Sequence, residues 1–363
     1  MVKVLVGTAP GDMDARVVFS ALSELGHSPF YWMTSEFCSS HELSLYASNK
    51  SGFPLHLSNN ETEQRLDSFD VFWNRRTRSP SAELPKADRD REQAIREREA
   101  LLHGSYYYFD TFMRCVNSFS SIQKANSKPL QLAVAQSVGL NLAETLMSNS
   151  LEEIRAFADN HQDIVFKSFT PLFWKENGKL LLFYTKKITR NDLQQGPNVR
   201  TMPQIYQRNI SKSFEVRSIF MGCSSTSVKI SGRGGKNVQD WRALKRADME
   251  VTAFELPVSI QEKCISLMKT IGIEYGCFDF IVDEEGTYYF LEVNQAGQCL
   301  FLENHCPETR MLDKLCQFLV FAGDPFTFNF DHTQENLRTQ SRDSHAYEQS
   351  QLELEQYKTS IFI

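Results

Sequence analysis

The sequence lacks the features of several common protein classes. Its eight cysteines include no CxxC pair, which argues against a zinc ribbon and a disulfide-stabilised secreted domain. No apolar run is long enough to cross a bilayer, and the opening MVKVLVGTAPGD is not expected to be a signal peptide. The formal net charge of −6 disfavours a general nucleic-acid binder. We therefore expect a cytoplasmic globular protein with neither a membrane nor a nucleic-acid partner.

Signatures of covalent catalysis and of a P-loop are also missing. No convincing Ser-His-Asp or Cys-His arrangement is present. The loop SGRGGKNVQD (231–240) is rich in glycine and carries two basic residues, but it lacks the GxxxxGK[ST] spacing. Such a loop can bring backbone amides and positive charge to a phosphate. An unstructured connector explains it equally well.

The order of apolar runs predicts a chain of several lobes with α/β and α+β character. Strands alternating with helices indicate an open α/β lobe over 1–117. We expect a central lobe over 118–205 and a third lobe over 206–322. The polar stretch 323–363 is predicted to be a loose tail or a partner-dependent helix.

The stretch GCFDFIVDEEGTYYFLEVNQAGQ (276–298) predicts a hairpin with oxygen-bearing side chains near one end. Side chains alternate across a strand, so Glu292 and Asn294 share a face. If the turn has an even number of residues, Asp279 lies on that face too. Two neighbouring carboxylates need a cation, and few protein oxygens suit Mg²⁺, which shares substrate phosphates. A solvated strand end is the alternative.

Two lysines could supply positive charge beyond a metal. Lys128 begins a predicted helix, and Lys167 lies inside the apolar strand DIVFKSF (163–169). A lysine in a buried strand is rare unless it meets an anion. Lys167 is therefore the more informative of the two, since surface lysines are common.

The segment QIYQRNISKSFEVR (204–217) predicts two strands joined by a short turn. Backbone groups from Gln207 to Ile210 could read an adenine edge. Glu215 and Arg217 share a face by alternation, where a carboxylate can accept from ribose hydroxyls and a guanidinium can bind phosphate. An exposed Glu–Arg pair is the alternative for these two residues.

Taken in order, these segments resemble the ATP-grasp superfamily over roughly residues 1–322. Within it, the chain is most similar to RimK-like peptide maturases that make microviridins and related graspetides. The phrases that carry the resemblance are FWNRR (72–76), NSKPLQLAVAQSVGL (126–140), QIYQRNISKSFEVR (204–217), QDWR (239–242), YGCFDFIVD (275–283) and FLEVNQAGQCLFLE (290–303).

The resemblance implies an ATP-grasp fold of three lobes, with ATP and Mg²⁺ held between two α+β lobes, and a role for each matching residue. It implies nucleotide contacts for Lys128, Lys167, Gln207, Arg208, Asn209, Ile210 and Glu215, with the ribose at Glu215. It implies catalytic or phosphate-binding roles for Arg217, Lys229 and Arg242, and magnesium ligation by Asp279, Glu292 and Asn294.

The family reaction activates a side-chain carboxylate of a precursor peptide as an acyl phosphate. A Ser or Thr hydroxyl, or a Lys amine, of the same peptide then closes an ester or amide ring. The implied partner is a ribosomally made precursor peptide with leader and core, and family members often form homodimers. FWNRR and the 231–242 loop are candidates for peptide contact.

Two departures and two alternatives accompany the resemblance. Relatives usually have proline where this chain has Gln295, and its loss is expected to loosen the loop leaving the metal site. Relatives commonly carry arginine at Lys229, so bidentate phosphate contact there is in doubt. A RimK-like ligase adding an amino acid to a protein or small molecule is one alternative, and a non-catalytic ATP-binding scaffold is the other.

Overall fold

The bounds of the helices and strands fix where each functional side chain can lie. The structure, a computed structural model, describes residues 1–50, 52–59, 62–80, 85–161, 163–170, 173–176, 179–182, 185–189, 192–193, 200–235, 240–241, 248–333, 337 and 359–360. The helices in those ranges are α1 (Met13–Glu24), α2 (Asp88–Phe112), α3 (Phe119–Asn126), α4 (Lys128–Ser137), α5 (Leu151–Asn160), α6 (Val258–Ile271) and α7 (Met311–Val320). The strands are β1 (Lys3–Thr8), β2 (Ser28–Met33), β3 (Glu42–Leu45), β4 (Leu55–Ser58), β5 (Glu63–Arg65), β6 (Val71–Asn74), β7 (Arg114–Val116), β8 (Asn141–Leu142), β9 (Thr145–Ser148), β10 (Ile164–Lys167), β11 (Phe173–Glu176), β12 (Lys179–Leu182), β13 (Lys186–Ile188), β14 (Gln204–Arg208), β15 (Lys212–Met221), β16 (Ser224–Gly232), β17 (Met249–Phe254), β18 (Tyr275–Asp283), β19 (Tyr288–Asn294) and β20 (Thr359–Ser360).

The first lobe has the open α/β arrangement that its alternating pattern predicts. Its parallel sheet has the strand order β2-β1-β6-β7, and the apolar run of β1 is fully buried, as parallel strands usually are. Helix α1 is capped by Asp12, whose side chain accepts from the Ala15 amide at 3.4 Å. A small antiparallel sheet, β3-β4-β5, extends this lobe.

The third lobe is centred on a six-stranded sheet in the order β17-β16-β15-β18-β19-β8. One face carries buried residues such as Val216, Phe278 and Phe280, which pack with α4 and α6. The other face carries Ile219 and Val228, which pack with the first lobe and α7 in one continuous core. Alternation along each strand thus sends successive side chains into different cores.

Helices α3 and α4 belong with the third lobe by their contacts. Ala125 and Val134 share the core on the sheet face that carries α6, and β8 pairs with β19 at the sheet edge. A boundary at residue 118 places these elements in the central lobe. The boundary at residue 118 stays a prediction, and these contacts favour a start of the central lobe nearer residue 143.

The central lobe has a small core of its own. Its antiparallel sheet has the order β13-β10-β14-β9, and its core is formed by Ile154, Ile164, Leu193 and Tyr206. Strands β11 and β12 pair antiparallel from Phe173↔Leu182 to Glu176↔Lys179 as a hairpin. The turn residues of that hairpin lie outside the described ranges, and β20 pairs with β12 in parallel.

The polar region beyond residue 323 begins with a segment that packs on the body of the protein. Phe328 and Phe330 are buried, and Phe328 packs edge-on against Phe318 of α7 with centroids 5.1 Å apart. At Gly222, where φ is +59°, an added Cβ would lie 1.7 Å from the Pro325 carbonyl oxygen. The segment from Pro325 to Phe330 is therefore packed on the body of the protein, and most residues after 333 lie outside the described ranges. In the described parts of the chain, no helix is long and apolar enough to cross a membrane.

Candidate active site

The β18–β19 hairpin brings Asp279 and Glu292 together by a route that alternation alone does not predict. The pair Val282↔Tyr288 and the Asp283 amide bond to the Thr287 carbonyl, 3.2 Å, leave an odd-numbered turn of Glu284, Glu285 and Gly286. That turn would place Asp279 opposite Leu291. A β-bulge after Asp279 shifts the register, so that Asp279 pairs with Glu292.

The bulge also separates the site from the core. Phe290 pairs with Phe280, and both are fully buried on the sheet face covered by α4 and α6. One extra residue in β19 changes the parity, which allows Glu292 to line the cavity between the lobes although it follows Phe290 by two positions. Asn294 lines the same cavity, as its alternation with Glu292 predicts.

Each carboxylate of the hairpin pairs with a cation. Arg217 donates from Nη1 to both Asp279 oxygens at 2.9 and 3.0 Å, and Lys128 pairs with Glu292. Burial alone would lower the pKa of the Arg217 guanidinium, but the Asp279 carboxylate outweighs it and raises that pKa above its usual value. Arg217 is thus a permanent cation next to a candidate metal ligand.

A cavity of about 590 Å³ lies between the central and third lobes and collects most of the predicted site residues. Those that line it are Lys128, Lys167, Gln207, Arg208, Asn209, Ile210, Glu215, Asp279, Glu292 and Asn294. Cavities of this size accommodate small-molecule ligands. Residues far apart in sequence therefore converge as the motif order predicts.

The strand lysine and the connecting strand form one polar network at the cavity. Lys167 donates to Gln207 Oε1 at 2.7 Å, and Gln207 donates from Nε2 to Thr145 Oγ1 at 2.9 Å. The backbone amides of Arg208 and Asn209 are bonded to the carbonyls of Glu144 and Asp163. A purine would have to be read by groups of this stretch other than these two amides.

Glu215 is buried and held from two sides. Lys212 pairs with its carboxylate, and the Trp241 amide donates to Glu215 Oε1 at 3.3 Å. Burial raises the pKa of Glu215 although Lys212 opposes the shift. The ring of Trp241 stacks on Phe301 and lies 5.9 Å from the Arg217 guanidinium. Asp240 and Trp241 of the QDWR segment therefore line the cavity.

Three sequence-based expectations differ from the structure or lie outside it. Lys229 pairs with Val216 and places its ammonium 4.3 Å from the centre of the Phe214 ring, on the sheet face opposite Arg217. Its predicted catalytic role is not supported, because strand parity directs it away from the cavity. Arg75 of FWNRR is buried rather than displayed to a peptide. Arg242 lies outside the described residues.

The loop after the hairpin is held by side chains from other parts of the chain. The Gln295 carbonyl accepts from Asn117 at 3.0 Å, and the Ala296 and Gly297 carbonyls accept from Arg75. Sequence patterns gave no signal for these bonds, because the donors are more than a hundred residues away. The loosening expected from Gln295 is therefore offset by contacts that do not depend on proline.

The oxygen donors of the hairpin fit Mg²⁺ in number and type. Across the described ranges, no group of three or more His, Cys, Asp or Glu side chains is arranged to hold a metal. The candidate set combines two carboxylates, Asp279 and Glu292, with the Asn294 amide. Mg²⁺ is often held by one or two carboxylates and completes its shell with water and substrate phosphates.

Comparison with solved structures identifies the architecture. A RiPP-associated ATP-grasp ligase of Chryseobacterium gregarium, solved with ADP and a leader and core peptide, superposes with a TM-score of 0.79 at 22% identity, over 91% of this chain and 100% of that one. The chain has the ATP-grasp fold. This confirms the fold that the sequence resemblance predicted.

Two further structures share the ATP-grasp fold with this chain. The macrocyclase MdnC of Microcystis aeruginosa MRC, solved with the precursor peptide MdnA, has a TM-score of 0.76 at 23% identity, covering 89% of this chain and 100% of that one. The macrocyclase MdnB of the same organism has a TM-score of 0.73 at 26% identity, with the same coverages of 89% and 100%. No protein-family model and no curated protein matches the chain.

Proposed function

We propose that this protein is an ADP-forming peptide ligase that closes ester or amide rings in a ribosomally made precursor peptide. The observation that carries the proposal is the convergence of two lysines, the Gln207–Ile210 stretch, Glu215 and the three hairpin oxygen donors on one cavity. The structural neighbours, two macrocyclases and a ligase solved with leader and core peptide, support the peptide substrate.

In the proposed reaction, a carboxylate oxygen of an Asp or Glu side chain attacks the γ-phosphorus of ATP, and the bond to the β-phosphate oxygen breaks to release ADP. A hydroxyl or amine of the same peptide then attacks the acyl carbon, loses a proton and displaces inorganic phosphate. The acyl phosphate must be shielded from water until that second attack.

The cavity residues contribute charge and position rather than a nucleophile. Lys128, Lys167 and Arg217 would offset the negative charge of the phosphates, and Glu215 would accept from ribose hydroxyls. Asp279, Glu292 and Asn294 would hold Mg²⁺, which when bound neutralises charge on the transferring phosphoryl group. Catalysis of this kind depends on fixed geometry.

Incubation with a precursor peptide tests the proposal. The candidate is a short peptide encoded beside the ligase, with a core rich in Thr and Glu or Asp. With ATP and Mg²⁺, we expect mass spectrometry to show the loss of one water per ring and ADP to form in proportion. Omission of ATP or of Mg²⁺ should leave the peptide mass unchanged.

The same experiment separates the two alternatives. ADP formation with an unchanged peptide mass, stimulated by free amino acids, would replace ring closure by a RimK-like addition. Nucleotide binding without any ADP formation would leave a non-catalytic scaffold. A cytoplasmic location, expected from the composition, and association into a homodimer, which the resemblance implies, stay predictions.

Lys167 is expected to contribute to nucleotide affinity. Lys167→Met removes a cation beside Gln207 that could donate to a phosphate or to the base. Because a hydrogen bond from a charged group is worth roughly 1.5–3 kcal/mol, ATP affinity should fall at least about tenfold. The thermal midpoint should change little, since the lysine is only partly buried.

Lys187→Met is the matched control. Calorimetric titration with ATP measures the affinity of both variants and of the unmodified protein. Lys187 lies on the neighbouring strand β13, is half exposed and pairs with Asp163 at 3.2 Å. The substitution removes the same charge from the same lobe, but Lys187 does not line the cavity. ATP affinity should therefore stay near that of the unmodified protein. Equal affinity in the Lys167 and Lys187 variants would remove Lys167 from the nucleotide site.

A further inference from the structure

The loop from Gln295 to Gln298 is held through four successive carbonyl groups. Asn117 donates to the first and Arg75 to the second and third. The third also accepts from the Tyr275 hydroxyl at 2.8 Å, and the fourth accepts from Arg217 Nη2 at 3.1 Å. A loop with this many fixed carbonyls has little freedom to move.

The same loop contacts two groups of the candidate site. The Ala296 amide donates to Asn294 Oδ1 at 3.1 Å. At Gly297 an added Cβ would lie 2.9 Å from Arg217 Nη2 and 2.5 Å from Cys277 Sγ. The backbone thus passes directly against the Arg217 guanidinium and orients the Asn294 side chain.

Arg75 connects this loop to the first lobe. It follows β6 and is buried, with Nη2 2.9 Å from Asp14 Oδ2 and Nε 3.5 Å from Asp12 Oδ2. Its remaining donor, Nη1, bonds the carbonyls of Ala296 and Gly297. One planar guanidinium therefore links two anchored carboxylates to the loop of the candidate metal site.

We infer that Arg75 is a positioning residue that holds Asn294 and Arg217 in place for Mg²⁺-bound nucleotide. The inference rests on the proposed function, because it assumes that this cavity binds nucleotide with Mg²⁺. Groups that orient metal ligands from outside the coordination shell commonly change metal affinity or activity by about 10–100-fold. Arg75 contacts the site only through carbonyls of the loop that orients Asn294, a candidate metal ligand. A substitution of Arg75 should therefore lower ADP affinity mainly when Mg²⁺ is present.

Arg75→Lys tests this role because lysine keeps the charge opposite Asp12 and Asp14. A single ammonium cannot satisfy two carboxylates and two carbonyls with the geometry of a guanidinium. Binding of ADP is measured by calorimetry with and without Mg²⁺. We expect affinity in Mg²⁺ to fall about tenfold, and affinity without Mg²⁺, which can change only through Arg217, to fall by less.

Arg114→Lys is the control for a purely structural loss. Arg114 also joins a carboxylate to backbone carbonyls: it lies 3.1 Å from Glu274 Oε2 and donates to the carbonyls of Phe318, Leu319 and Phe321, away from the cavity. The thermal midpoint of the Arg114→Lys variant should fall by about as much as that of the Arg75→Lys variant. The Mg²⁺-dependent ADP affinity of the Arg114→Lys variant should not change.

The possible results separate the inference from the proposed function. An unmodified protein without Mg²⁺-dependent ADP binding would overturn both. Normal binding in that protein, with equal values for the Arg75 and Arg114 variants, would overturn the positioning role alone. If Arg75→Lys does not fold, Asp14→Asn weakens the same anchor less severely. It should lower Mg²⁺-dependent affinity in the same direction, and an unchanged value would contradict the inference.

Discussion

Glu292→Gln should abolish ADP formation and peptide ring closure while leaving the protein folded. The substitution keeps the size of the side chain but removes a charge that would hold Mg²⁺. Because a bound metal contributes several kcal/mol to transition-state stabilisation, turnover should fall by at least about a thousandfold. Glu292 and Lys128 are both about a quarter exposed, at 27% and 25%, so the thermal midpoint should move by only about 2 °C or less.

The control for Glu292→Gln lies in the same hairpin. Glu285 is exposed in the turn between β18 and β19, and Glu285→Gln makes the same change of charge away from the cavity. Steady-state ADP release should match that of the unmodified protein. Turnover by Glu292→Gln within a few-fold of this control would remove Glu292 from the metal site.

Asp279→Ala should abolish turnover and also lower stability, in contrast to Glu292→Gln. Arg217 is buried and donates to both oxygens of Asp279. Removing the carboxylate leaves a buried cation without its anion, which costs about 3–5 kcal/mol. For a chain of this size, we expect the thermal midpoint to fall by roughly 4–7 °C.

A double variant separates the structural role of Asp279 from its catalytic one. Replacement of both members of a buried ion pair by apolar residues is often nearly neutral. Asp279→Ala with Arg217→Met should therefore recover most of the lost thermal midpoint in a melting experiment, without recovering turnover. A single Asp279→Ala variant that melts with the unmodified protein would show that Asp279 does not compensate Arg217.

The sequence predicted the β18–β19 hairpin and the meeting of Asp279 with Glu292, but not how they meet. Alternation placed Asp279 on the correct face only for an even-numbered turn. The turn is odd, with Gly286 at a φ of +81°, and the bulge after Asp279 restores the pairing. Neither feature has a reliable local signature, because a bulge depends on which side chains the two sheet faces can bury.

Long-range contacts account for the remaining differences. The pairing of Arg217 with Asp279 joins residues on β15 and β18, whose register is set by the whole sheet. The burial of Arg75 depends on a loop more than two hundred residues away. Lys229 was placed by analogy with arginine in relatives, whereas the parity of β16 places it on the opposite face.

The distribution of buried residues determines which part of the protein can open. The first and third lobes share one apolar core, which includes Val17 and Trp73 together with Met221 and Leu315. The central lobe packs around its own small core at Ile164 and Tyr206. Separation of the first lobe would expose the residues of the shared core, whereas the described core residues of the central lobe pack with one another. If the proposed function is correct, the hinge that admits nucleotide and releases ADP is expected on either side of β9–β14. Arg217, Asp279 and Glu292 would then stay on the fixed half of the protein.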